Sequence, residues 1–107
     1  IRQLLQNNVK PDAIFCANDT TALSVIIYLL ENGYKVPEDI AIVGFSNEPF
    51  SEVVTPSIST VKQPGYLIGQ KAAQLIIEQI LNGIPNPAYK TIVMPTELII
   101  RNSSKRK

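Results

Sequence analysis

The chain has no histidine, no tryptophan and a single cysteine among its 107 residues. Without histidine, imidazole-based acid–base catalysis is excluded and a zinc site loses its commonest nitrogen ligand. One thiol, Cys16, excludes an internal disulfide, and its place at the end of an apolar run reads as an inert buried group. Charge of either sign is scarce: ten basic residues face nine acidic ones, a net charge of +1. Composition therefore gives no reason to expect a nucleic-acid or membrane partner. The basic ending Lys105-Arg106-Lys107 reads as a solvated tail. No apolar run approaches the roughly 18 residues of a membrane span, and no signal peptide is recognisable. Asp12, Asp19, Asp39 and Glu48 are scattered, each with a cap, turn or solvent role open to it, and there is no glycine-rich phosphate loop. No catalytic set, metal site or cofactor is expected, so the chain reads as a non-enzyme.

What remains is ordinary globular composition, 45% hydrophobic and 18% charged, enough for one small domain. Ile1 to Asn8 reads as the end of a helix that starts abruptly, without an N-cap, as in a segment of a longer protein. Ala13 to Ala17 reads as a strand, then Thr20 to Asn32 as a helix capped by Asn18 or Asp19 and stopped by Gly33. Ile40 to Phe45 is a continuous apolar strand of the kind covered on both faces. Ile58 to Val61 is a further extended piece. Gly65 to Asn82 is a long amphipathic helix with Ile68, Ala72, Leu75, Ile76 and Ile80 as its stripe. Gly83 ends it, Asn86-Pro87 marks a loop, and Thr91 to Met94 and Leu98 to Ile100 read as strands. The order αβαβ–β–α–ββ predicts an α/β fold with a mostly parallel sheet.

In open α/β sheets ligands sit beyond the carboxyl ends of the strands. Two polar groups fall there, Asn18-Asp19 after the first strand and Ser46-Asn47-Glu48 after the second. An amide donates and accepts hydrogen bonds, which suits a sugar hydroxyl. Asn18 reads as a ligand contact and Asp19 mainly as a cap. The helix Thr20 to Asn32 is apolar nearly all round, so one face covers the sheet and a second is either buried elsewhere or left as an exposed patch.

Four ordered stretches carry a family resemblance: Pro11 to Asp19, Val36-Pro37-Glu38-Asp39 with Ile40 to Phe45, Thr55 to Pro64, and Glu97 to Ser104. Together they resemble the C-terminal part of the effector domain of a LacI/GalR-family transcriptional regulator. The resemblance implies a two-lobed, doubly wound, periplasmic-binding-protein-like (type I) α/β fold. It places residues 1–61 and 96–107 in the C-terminal lobe and 65–94 in the other lobe. It makes Val61, Lys62, Gln63, Met94 and Pro95 hinge crossings. It implies effector contacts at Asn18, Ser46 and Asn47, although Ser46 stands where many members carry an aspartate. It implies a homodimer through Leu23, Ile26, Ile27, Leu30, Phe50, Val53 and Val54. The implied function is cytoplasmic sensing of a small molecule, a sugar foremost, with operator DNA bound only through a head that this chain lacks. A periplasmic solute-binding protein shares the fold and is the alternative; the apolar surface helix favours the regulator.

Overall fold

In chain order, the computed structural model contains α1 (Arg2–Gln6), β1 (Ala13–Phe15), α2 (Asp19–Glu31), β2 (Ala41–Val43), α3 (Phe50–Val53), β3 (Thr60–Lys62), α4 (Gly65–Asn82) and β4 (Glu97–Ile99). It describes residues 1–7, 9–82 and 91–106. The chain divides into two units, Ile1–Lys62 with Glu97–Lys107, and Gln63–Thr96.

In the first unit β1 and β2 pair in parallel, Ala13 opposite Ala41 and Phe15 opposite Val43. The other edge of β2 is shared by two distant segments. Ile42 N–H donates to Ser103 O at 2.8 Å, and Gly44 N–H donates to Ser59 O at 2.8 Å. A parallel bridge joins Val43 to Ser59, and β3 then pairs antiparallel with β4, Thr60 opposite Ile99. The α/β character is as the sequence implies; the antiparallel pair arises because β4 is a returning segment, not part of a β–α–β crossover.

Asn18 caps α2, its Oδ1 accepting the Thr21 N–H at 2.7 Å. Gly33 follows the helix at φ +80°, a conformation that glycine adopts without Cβ strain. Ala22, Ile26 and Leu29 of α2 are buried with Cys16, Val36, Ile40, Ile42 and Ile58. This spacing of four and three places one face of α2 on the strands. Burial raises the Cys16 thiol pKa, which keeps it protonated and inert.

One flank of the buried face of α2 is uncovered, Ile27 and Leu30 being 47% and 46% exposed; on α3, Val53 is 79% exposed. Ile26, expected alongside them, is 1% exposed and belongs to the core of its own unit. Leu23, Phe50 and Val54 are half-buried against that core. Exposed apolar side chains on α2 and α3 favour self-association, at about 25 cal/mol per Å² of apolar surface removed from water. The isolated chain is expected to sediment as a dimer or larger species. Leu30→Glu or Val53→Lys should shift it toward monomer; a monomer that persists at high micromolar concentration would contradict this.

In the second unit α4 runs over the span expected for it, with Gly65 N–H donating to Gln63 O at its start. Its stripe forms no closed core among the described residues. Ile68, Ile76 and Ile80 are exposed and only Leu75 is half-buried. Ile68, Ala72 and Leu75 line an open groove of about 450 Å³ with Ile92 and Met94. Thr91 to Met94, expected as a strand, forms no ladder, because a strand exists only with a hydrogen-bonded neighbour and this unit supplies none among the described residues. Gly83 and the Asn86-Pro87 loop lie outside the described residues.

Candidate functional site

The turn after β2 stands on the N-terminus of α2, and one buried carboxylate joins them. Asp19 is fully buried. Its Oδ1 accepts the Thr60 hydroxyl proton at 2.6 Å and its Oδ2 accepts the Glu48 N–H at 2.7 Å. Its own N–H donates to Phe45 O at 3.0 Å. Asp19 is therefore a brace between α2, the turn and β3, while Asn18 is the cap. The sequence suggests the reverse weighting, because a cap is a local pattern and partners 29 and 41 residues away leave no local signal.

Gly44 is needed for this brace. A methyl group on Gly44 would run into Asp19 Oδ1 and lie 3.2 Å from Asp19 Cα. Beyond Phe45, two residues take left-handed backbone, Ser46 at φ 107° and Asn47 at φ 55°. Such conformations cost of order 1–3 kcal/mol in a residue with a Cβ and persist only when surrounding contacts impose them. Here three consecutive amides are held: Ser46 N–H by Val61 O at 2.9 Å, Asn47 N–H by Thr60 Oγ1 at 3.2 Å and Glu48 N–H by Asp19. The Asn47 side chain is a fourth anchor, its Oδ1 accepting Arg101 Nη2 at 2.9 Å.

Arg101 falls in the Glu97 to Ser104 stretch that carries the family resemblance, but the sequence reading gives it no role in the site. Besides Asn47, its guanidinium donates from Nη1 to Ile58 O at 2.9 Å and to Ser51 Oγ at 3.2 Å. Its backbone is tied to β3's approach: Arg101 N–H donates to Ser59 Oγ at 2.7 Å, and Ser59 Oγ–H donates back to Arg101 O at 3.0 Å. Ser103 Oγ accepts Ser59 N–H at 2.8 Å and donates to Ile42 O at 2.7 Å. The Arg-Asn-Ser-Ser ending is thus a polar strut beneath the turn. Its sequence signals are the polar cluster after an apolar strand and the resemblance that Glu97 to Ser104 carries; neither shows what it braces.

Asn18, Ser46 and Asn47 are thereby brought to one rim, beyond the carboxyl ends of β1 and β2. Asn18 is exposed, and Ser46 and Asn47 are half-buried. At the other end of the strands, Asp39 accepts Lys35 N–H at 2.8 Å and Lys10 Nζ at 2.9 Å. The Lys35 amide, then the Lys10 ammonium, hold its carboxyl below the ordinary aspartate range. This closes a turn at the surface and lies away from the rim. Among the described residues no group of three or more potential metal ligands is gathered.

A parallel α/β unit whose polar turns converge at the strand carboxyl ends has the architecture of a ligand-binding domain. The profile described as a periplasmic binding protein-like domain matches residues 1–104. The NTD biosynthesis operon regulator NtdR of Bacillus subtilis (strain 168) is 44% identical over 95 residues, covering 89% of this chain and 29% of that protein. A lactose operon repressor of Rhizobium radiobacter is 41% identical over 105 residues, covering 98% of this chain and 90% of that sequence. Among solved structures, the complex of the transcriptional regulator CelR with cellobiose superposes with a TM-score of 0.86 at 33% identity, covering 96% of this chain and 31% of that one. The chain belongs to the periplasmic binding protein-like family, in the group formed by the effector-binding domains of LacI-type transcriptional regulators. It spans about a third of the length of NtdR and CelR. These relatives are regulators rather than enzymes, and no described helix is long and apolar enough to cross a membrane.

Proposed function

We propose that this chain is the C-terminal portion of the effector domain of a cytoplasmic LacI-type regulator, and that a sugar is its effector. The rim of Asn18, Ser46 and Asn47 is the effector contact. Support comes from the turn itself: left-handed backbone at Ser46 and Asn47 is held by four separate anchors, which is how a fold keeps a costly conformation at a functional place. The cellobiose bound to CelR, a relative of the same fold, supports a sugar.

The mechanism is a population shift. Residues 1–61 and 96–107 belong to one lobe and 65–94 to the other, and Val61, Lys62, Gln63, Met94 and Pro95 are the crossings between them. The chain's division after Lys62 and after Thr96 supports this assignment. An effector favours one hinge state by its difference in affinity for the two states, and so changes how paired heads fit an operator. Two copies associate through the uncovered face of Leu23, Ile27, Leu30, Phe50, Val53 and Val54. Operator DNA is bound by a head outside this chain.

Asn18→Ala in the full-length protein should weaken effector binding by about 1–3 kcal/mol, the cost of a ligand group left unpaired. Ser46→Ala should cost less, because a neutral hydroxyl makes a weaker bond than the charge-assisted one of an aspartate. Calorimetry reads both; unchanged affinity in the Asn18 variant would remove this rim from the site.

A further inference from the structure

Both amides at the rim have already committed their oxygen. Asn47 Oδ1 accepts from the guanidinium of Arg101 at 2.9 Å, and Asn18 Oδ1 accepts from the backbone N–H of Thr21 at 2.7 Å. Neither partner can accept a hydrogen bond, so neither amide can turn its nitrogen inward without setting donor against donor. The orientation of each is decided by its partner's chemistry. What each side chain is thereby made to turn outward is its NH₂ group, while Oδ1 keeps one further lone pair. Among the described residues neither nitrogen makes a hydrogen bond, and no buried side-chain nitrogen or oxygen lacks a partner. The Asn47 nitrogen therefore meets solvent, and Asn18 is an exposed residue.

We infer that the rim is a donor site, and that Arg101 is the positioning residue that makes it so. The inference rests on the effector-sensing reading above and adds the chemistry that this reading leaves open. Two N–H donor groups, with no carboxylate at position 46, select a ligand edge that presents lone pairs. Ring oxygens, carbonyls, carboxylates and hydroxyls used as acceptors qualify. An edge made of donors alone does not: it would leave two amide nitrogens facing protons, and a desolvated donor without an acceptor is penalised as any unpaired polar group is. Arg101 does not touch the ligand. It acts by holding Asn47 Oδ1, and it holds the turn from the other side through Ile58 O and Ser51 Oγ.

Asparagine-to-aspartate exchange separates the donor role from a structural one. Aspartate is nearly isosteric with asparagine, caps a helix about as well and tolerates left-handed backbone. Asn47→Asp keeps an oxygen facing Arg101 and makes that bond charge-assisted. Asn18→Asp keeps an oxygen facing Thr21 N–H. In each case the internal bond survives, and the outward NH₂ donor is replaced by a carboxylate oxygen, which can only accept. The full-length protein is to be titrated with cellobiose, with melting temperature recorded alongside. The expected result is an affinity at least about tenfold weaker in each aspartate variant, with melting temperature unchanged or raised. Arg101→Gln, whose amide can accept as well as donate, should release Asn47 to turn and weaken binding with a smaller change at Asn18. Should Asn18→Ala weaken cellobiose binding while both aspartate variants bind as the unmodified protein does, the donor assignment is overturned and the site reading stands. No effect of Asn18→Ala, or no saturable binding of cellobiose to the unmodified protein, overturns the sugar-sensing reading and this inference with it.

Discussion

Gly44→Ala is expected to destabilise the chain by about 3 kcal/mol, out of proportion to one methyl group. Overpacking a well-filled site costs about 1–3 kcal/mol, and here the new methyl meets a carboxylate oxygen that is already hydrogen-bonded. The Asp19 side chain cannot simply move aside. Its two oxygens are held by Thr60 and Glu48, and its Cα lies 3.2 Å from the position the new Cβ would take. Relief must come from lengthening those bonds or from separating β2 and α2. Denaturant melts of the two proteins measure the difference; a change below about 0.5 kcal/mol, the usual range of a surface substitution, would mean that the approach of Gly44 to Asp19 is not close.

Asp19→Ala should cost a similar amount, about 2–4 kcal/mol, for a different reason. It leaves the Thr60 hydroxyl and the Glu48 N–H without their acceptor, at roughly 1–3 kcal/mol for each group that water cannot reach. Glu48 lies nearer solvent than Thr60, which is fully buried, so the larger share falls on Thr60. Asp19→Asn should be milder, because one acceptor oxygen remains. The two substitutions test one contact, so they should not be additive. With the carboxylate gone, the methyl at position 44 has room, and Gly44→Ala should lose most of its penalty in the Asp19→Ala background. Additive effects in the four-protein cycle would count against the brace.

The elements readable from sequence are those defined by local periodicity. The helix α4 lies where its stripe and the preceding Pro64 place it, and α2 differs from its expected span by one residue at each end. The strands β1 and β2 are shorter than the apolar runs that contain them, because pairing requires a neighbour along the whole length and the runs outlast their partners. The helix α3 escapes a reading by periodicity because four residues make barely one turn; Pro49 before it and Glu52 in its first turn are its available signals. At the rim, position along the strands was legible and division of labour was not. Asn18 and Asp19 look interchangeable as caps until Thr60 and Glu48 are seen to converge on Asp19. Arg101 is 54 residues from the amide it orients, and no pattern in a single sequence reports such a distance.

The order in which a ribosome delivers these residues bears on how the first unit closes. Ser103 binds Ile42 through both its backbone and its side chain, across 61 positions, and the whole second unit emerges between them. Until residues 97–104 leave the exit tunnel, one side of β2 lacks its Ser103 partner, and Ser59 lacks the hydroxyls of Ser103 and Ser104. The nascent first unit is thus an open sheet with a waiting edge, and it completes only after the other unit has had its chance to fold. Such late closure by a distant segment slows folding and lengthens exposure of pairing groups to neighbouring chains.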